Sequence, residues 1–154
     1  MKKVLTLVFV LFFAVTTGLV WAQAAKQASA AQAKQWVELA DKYVQEVGLK
    51  KAIAEFNNPK GKFTKGDLYI SAFSFDGKVL AFPMDHSKVG LNRLDFKDVD
   101  GKPFMREFTN VAKTKGAGWV DYKYINRKTN KTGQKTGYVK KVADDVYIVS
   151  AADK

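Results

Sequence analysis

The stretch GDLYISAFSFDGKVLAFPMDHSKVG at residues 66–90 decides the fold, together with LDFKDVDGKPFMREF at 94–108, GAGWVDYKY at 116–124 and KTGYVKKV at 135–142. It reads as strand, turn, strand, loop, short helix, strand, turn and strand. Residues 68–75 and 78–82 are two apolar, aromatic runs, and the Asp76-Gly77 pair between them suits a type I′ hairpin turn. Side chains alternate along a strand, so Tyr69, Ser71 and Phe73 share one face and Leu68, Ile70 and Ala72 the other. Both faces read as at least partly buried. Residues 83–93 form an irregular loop. Asp100-Gly101-Lys102 is a turn, and Pro103 suits the first position of the helix that follows. Phe104, Phe108, Val111 and Ala112 give that helix its apolar stripe, and Gly116 and Gly118 end it. Residues 119–125 read as a strand with Val120, Tyr122 and Tyr124 on one face. Residues 126–135 read as a polar turn region, and 136–142 and 146–151 as a last hairpin around Asp144-Asp145.

Upstream, Ala33, Trp36, Val37, Ala40, Tyr43, Val44 and Val47 recur at three- and four-residue steps, which predicts an amphipathic helix. Gly48 is a natural stop for it. A second short helix carries Ala52, Ile53 and Phe56, and Asn57-Asn58-Pro59 ends it because proline disfavours helix in the residue before it. Neighbouring strands with helices segregated from them predict an α+β fold with an antiparallel sheet. Five strands with a long N-terminal helix behind them make the expected architecture PAS-like.

The chain opens Met1-Lys2-Lys3, an apolar run covers residues 4–15, and Ala22-Gln23-Ala24 supplies small residues at the spacing a signal peptidase needs. Together these form a secretory signal over residues 1–24, with an uncleaved membrane anchor as the alternative. Removing 24 of the 154 residues leaves 130, enough for one domain at 25–154 with a core of its own. The signal holds two lysines and no acids, so the formal charge falls from +11 to +9. In an exported protein that charge points to envelope surfaces or to steering of anionic ligands rather than to nucleic acid. There is no cysteine, which excludes disulfides, thiol nucleophiles and a lipid-modified N-terminus. His86, the one histidine, stands beside Asp85 with no second histidine to complete a metal site. Asp95, Asp98 and Asp100 read as turn and capping residues, because their spacing does not fit a calcium loop. No nucleophile elbow, zinc-protease motif, phosphate loop or dinucleotide fingerprint occurs, so neither an enzyme nor a cofactor is expected.

The ordered set of motifs resembles the single Cache domain of bacterial extracytoplasmic sensors. The carriers are residues 52–61 with Phe63, Gly66-Asp67-Leu68-Tyr69, residues 75–81, Val89-Gly90, Leu94-Asp95, Lys97-Asp98, residues 100–104, residues 118–123 and Tyr138-Val139. The resemblance implies a PAS-like binding module for a small molecule, often a small organic acid. A carboxylate pocket needs cationic or hydroxyl donors beside apolar walls. Tyr69, Phe73, Phe82, Trp119, Tyr122 and Tyr124 are the candidate walls. Arg106 is a candidate for a bidentate carboxylate pair, and Lys135 and Tyr138 resemble the family's Lys and Tyr at that strand. The expected protein is free-standing, periplasmic or secreted, with no metal site. Its expected partners are a small carboxylate and a membrane receptor or histidine kinase, and its N-terminal helix offers a homodimer surface. The chain departs from similar family members at Phe82, at Tyr124-Ile125-Asn126-Arg127 and at residues 149–152. Those departures motivate the alternative, an envelope interaction or scaffold protein that binds a protein or anionic polymer through its basic surface.

Overall fold

The computed structural model describes residues 28–126 and 129–154. The secretory signal expected at 1–24 and the departure at Arg127 lie outside the described residues. Helix α1 (Ala30–Val47) opens on a capping box. The Ser29 hydroxyl accepts from the Gln32 N–H at 3.3 Å, and the Gln32 amide oxygen accepts from the Ser29 N–H at 2.9 Å. The helix buries Ala33, Val37, Ala40 and Val44, the stripe its periodicity predicts, and ends at Gly48 with φ 83°. Helix α2 (Leu49–Phe56) follows at once and buries Ala52 and Phe56. Complete burial of the Phe56 ring contributes on the order of 2–3 kcal/mol. Asn57 then ties α2 to the sheet. Its Nδ2 donates to the carbonyls of Ile53 (3.2 Å) and Leu80 (2.9 Å), and its Oδ1 accepts from the Phe82 N–H at 3.1 Å.

Strands β1 (Thr64–Lys65) and β2 (Leu68–Tyr69) form a small hairpin of their own. Strands β3 (Ser71–Ser74), β4 (Val79–Ala81), β5 (Ala117–Asn126), β6 (Lys131–Lys141) and β7 (Val146–Asp153) form one antiparallel sheet in the order β4-β3-β7-β6-β5. Helix α3 (Phe104–Lys115) connects β4 to β5 by way of a loop that holds one 3-10 turn, His86–Lys88. The α+β, PAS-like architecture is therefore the one expected. Four local readings change. The Asp76-Gly77 turn is not type I′, because only Gly77 has a positive φ, at 92°, and the Ser74 N–H donates to Lys78 O at 3.0 Å across a three-residue loop. The run 68–75 breaks after Tyr69, because β2 pairs back on β1 while β3 pairs on β4 and β7. Pro103 is the cap residue before α3 rather than its first residue. The polar segment 131–135 is strand, since Lys131 to Lys135 pair with Asn126 to Tyr122 in one continuous hairpin.

The sheet has a packed layer on each face. α1 and α2 cover one face, with Ala72, Ala81, Tyr138 and Ile148 beneath them. α3 covers part of the other, over Phe73, Val120, Val139, Tyr147 and Val149. Between α3 and the loop from Phe82 to Phe96 that second face is not filled, and this gap positions the site. No helix among the described residues is long and apolar enough to cross a membrane.

Candidate functional site

A cavity of about 110 Å³ occupies the gap. One water needs roughly 10–15 Å³ of such space, so there is room for a small organic molecule. Strand alternation builds the floor. β5 contributes Tyr122, Tyr124 and Asn126, and β7 contributes Val149, Ala151 and Asp153, each set two residues apart. β6 contributes Lys135, β3 Phe73 and β4 Val79. The register pairs Tyr122 with Lys135 and Lys135 with Asp153. Phenol, ammonium and carboxylate thus stand in one row across three adjacent strands.

The roof comes from α3 and the loop. Phe104 and Met105 project from the first turn of α3 and Phe108 from the next, and Phe82, Met84, Lys88, Arg93 and Phe96 come from the loop. The aromatic rings brace one another. Phe104 stacks on Tyr122 with centroids 4.5 Å apart and planes 10° from parallel. Phe108 meets Tyr122 edge-on at 5.4 Å, and Phe96 meets Phe104 edge-on at 5.9 Å. Tyr69 and Phe82 form a further edge-on pair at 5.7 Å. Gly137 lets the roof sit this low, since a Cβ there would stand 3.1 Å from Phe108 Cζ.

The polar end is the Tyr122–Lys135–Asp153 row. Lys135 Nζ and Asp153 Oδ1 form an ion pair whose side chains are 17% and 12% exposed, so it is largely shielded from solvent screening. Asn126 Nδ2 donates to the other Asp153 oxygen at 2.6 Å. Burial pushes the Tyr122 phenol far up, and repulsion from Tyr69, Tyr124 and Asp153 adds to it. Tyr122 is therefore a neutral hydroxyl, fit to hydrogen-bond an anion and unfit to surrender its proton. At the loop, Lys88 pairs with Asp85 at 3.1 Å and lies over the Phe82 ring, and the Arg93 guanidinium lies 4.7 Å from the Phe96 centroid. The Ser87 hydroxyl and then Lys88 pull the Asp85 carboxyl down to about 2. Among the described residues no group of three or more His, Cys, Asp or Glu side chains is placed to hold a metal ion.

Six of the nine candidates from the sequence meet at this cavity: Tyr69, Phe73, Phe82, Tyr122, Tyr124 and Lys135. Three do not. Trp119 is one residue out of phase with Val120, Tyr122 and Tyr124, so it points to the α1 side, where its ring lies 4.8 Å from that of Tyr138. Tyr138 is likewise out of phase with Lys135 and belongs to the core under α1, with its hydroxyl 3.5 Å from Glu38 Oε1. Arg106 leaves the outer side of α3 and pairs with Asp95 at a site where its side chain is 56% exposed. Its guanidinium is spent on the loop and does not line the cavity. Asp153, Arg93 and the α3 residues are not among the candidates the sequence offers, and Asn126 enters there only as part of a departure from the family pattern. The apolar period of α3 marks Phe104 and Phe108 only as core, and Asp153 gains meaning only when β7 is paired to β6.

Asp98 and His86 hold the loops around the site. Asp98 Oδ1 accepts from the N–H groups of Asp100 (2.9 Å) and Lys102 (3.0 Å), and its Oδ2 accepts from the Lys123 N–H at 3.0 Å on the free edge of β5. His86 Nε2 hydrogen-bonds the Asn57 carbonyl at 2.5 Å, fastening the 3-10 turn to the end of α2. Both are structural roles, as their spacing suggests for Asp98.

The Cache domain family model matches residues 22–153. Among solved structures, a methyl-accepting chemotaxis protein from Vibrio parahaemolyticus RIMD 2210633 superposes with a TM-score of 0.66 at 17% identity, over 79% of this chain and 85% of that one. The periplasmic sensor domain of a chemotaxis protein gives 0.58 at 16% identity, over 79% and 87% of the two chains. A Cache chemosensory domain, solved for the structural basis of its carboxylic acid recognition, gives 0.65 at 19% identity, over 79% and 90%. No curated protein matches the chain in sequence.

Proposed function

The chain belongs to the Cache domain family, and from that premise and the chemistry of its cavity we propose that it is an extracytoplasmic sensing module for a small organic acid. One observation carries the reading: the Tyr122–Lys135 pair stands in a cavity whose roof and floor are mostly phenylalanine, tyrosine, methionine and valine, with Asp153 and Asn126 beside the pair and Lys88 and Arg93 on the loop side. A short carboxylic acid has the complementary shape. Its carboxylate accepts from the Lys135 ammonium and the Tyr122 hydroxyl, and its alkyl end leaves water for the rings of Phe73, Phe104 and Phe108. The carboxylic acid recognition of one structural relative supports this ligand class. The net positive charge of the chain draws anions toward the domain, and Lys88 and Arg93 add cations along the loop side of the cavity. The module reports the acid to a membrane receptor or kinase after export. Residues 1–24 serve as the export signal, and the domain occupies 25–154.

The test is thermal unfolding of the purified protein with acetate, propionate, lactate and pyruvate, each against chloride at equal ionic strength. An acid at 100 times its Kd stabilises the folded state by about 2.7 kcal/mol, a shift of several degrees. A rise confined to one or two acids is expected. Equal midpoints in all acids and in chloride would refute the reading.

A further inference from the structure

The cation of the cavity floor is already engaged. Lys135 is the ammonium in the cavity floor, and in the structure it is held by a carboxylate of the same chain, Asp153. The two are cross-strand partners in β6 and β7, so the backbone register itself delivers the carboxylate to the ammonium. Both side chains are mostly buried, and Asn126 holds the second oxygen of Asp153. An anion that enters the cavity meets, in its floor, an ammonium already paired with a carboxylate.

We propose that Asp153 is the affinity- and specificity-determining residue of the site, an internal carboxylate that occupies the place of the ligand's own. This rests on the reading of the cavity as an organic-acid site. A ligand carboxylate draws Lys135 away from Asp153, and two carboxylates do not share one buried ammonium without repulsion. The empty domain keeps its buried lysine paired, which avoids the penalty of an uncompensated charge. The acid must then compete with a partner that is always present, so weak anions such as chloride are rejected. An acid with apolar bulk for the aromatic walls gains enough from burial to prevail. Asp153 also sits where its release has a reach. It is the last residue of β7, and the next residue, Lys154, donates its N–H to Gln134 O at 2.9 Å and its Nζ to Asp121 Oδ2 at 2.6 Å. Displacing the Asp153 carboxylate therefore acts on the junction of β5, β6 and β7 at the end of the chain.

Calorimetric titration of the four acids into the purified wild-type protein, Asp153→Asn and Lys135→Met tests this. Asn keeps the shape and an acceptor for Asn126 but removes the competing charge. The expected result is an affinity for the acid about tenfold to a hundredfold higher in Asp153→Asn, the reach of one charge-assisted hydrogen bond, with loss of binding in Lys135→Met. Acid binding to Asp153→Asn alone, with none to the wild type, overturns the acid-sensing reading and the proposal that rests on it. An acid that binds the wild type with affinity unchanged or weakened in Asp153→Asn overturns the proposal and leaves the acid-sensing reading standing. No binding to either protein overturns both. A measurement on the wild type stands free of any folding defect in the variants: the carbon-13 resonance of the Asp153 carboxyl is expected to move on saturation with the acid, and a resonance that stays in place refutes the displacement.

Discussion

Gly137→Ala tests whether the height of α3 above the sheet sets the site. Gly137 lies in β6 opposite Val120 and Ala151, and a Cβ built there would stand 3.1 Å from Phe108 Cζ, 3.2 Å from Phe108 Cε1 and 3.3 Å from Val149 Cγ1. Carbon atoms settle at about 3.5–4.0 Å, so the ring must yield by roughly half an ångström. It has little freedom to do so. Phe108 is wedged edge-on against Phe104 at 5.5 Å and against Tyr122 at 5.4 Å. Overpacking of this kind costs about 1–3 kcal/mol. The loss of glycine's freedom in the unfolded chain returns about 0.4–1 kcal/mol. The net expectation is a destabilisation of about 1–2 kcal/mol, read as a lower urea midpoint with the same slope. Acid affinity should fall with it, because Phe108 can move only toward the cavity or toward Tyr122. Phe108→Leu in the same chain should recover part of both losses, a coupling expected of touching residues. Gly137→Ala with stability equal to or above the wild type would refute the argument, as would losses that simply add in the double variant.

Three further outcomes are expected. Tyr122→Phe keeps the ring stacked on Phe104 at 4.5 Å and removes only the hydroxyl, so acid affinity should drop about tenfold with stability within about 0.5 kcal/mol; titration and urea unfolding of one sample check both. Ser150 Oγ is buried in the sheet and has no hydrogen-bond partner among the described residues, so Ser150→Ala should be neutral or stabilising by up to about 1 kcal/mol, and a clear loss in urea unfolding would show that the hydroxyl is bonded. The Asp98 carboxyl is held below the usual carboxylate range, first by the Lys123 N–H and then by those of Lys102 and Asp100. A depressed folded pKa contributes stability above the ordinary value near 4, lost as pH falls through the folded value, so the thermal midpoint should be flat from pH 6 to 8 and decline below about pH 4, and Asp98→Asn should blunt that decline.

The two periodicities explain what the sequence discloses. The 3.6-residue stripe of α1 needs no knowledge of its neighbours, because any amphipathic helix buries the side where Ala33, Val37, Ala40 and Val44 line up. Asp76-Gly77 likewise marks the β3–β4 turn from local chemistry, although only Gly77 takes the left-handed region and the turn type differs from the one expected. The break after Tyr69 is different. It depends on β7 arriving beside β3, a pairing across more than seventy residues that no local signal encodes. The strand character of 131–135 is equally hidden. Lysine and glycine are depleted in strands and Thr132 alone does not outweigh them, yet pairing to residues 122–126 of β5 holds the segment extended.

For the site, parity divides the candidates more sharply than residue type does. Tyr122 and Tyr124 share a face with Val120, and Trp119 cannot. An aromatic residue one step out of phase therefore points to the opposite face, however well its chemistry would suit a ligand. The same rule sets Tyr138 beside an exposed Trp119 on the opposite face and sends Lys135, three positions earlier, into the cavity. Charge obeys a second rule, that of register. Lys135 is visible in sequence as a cation next to a tyrosine strand. Its carboxylate partner is 18 positions away and becomes its neighbour only because a turn at Asp144-Asp145 sets β7 against β6 with Lys135 opposite Asp153. An insertion of one residue in that turn should therefore do more than shift a loop. It would exchange Asp153 for a neighbour of the wrong parity, leave the buried Lys135 without its carboxylate, and remove Val149 and Ala151 from the cavity floor together. Such a variant should lose acid binding and several kcal/mol of stability at once, whereas an insertion at Asn130 in the β5–β6 turn, outside the β6–β7 register, should leave the Lys135–Asp153 pair intact.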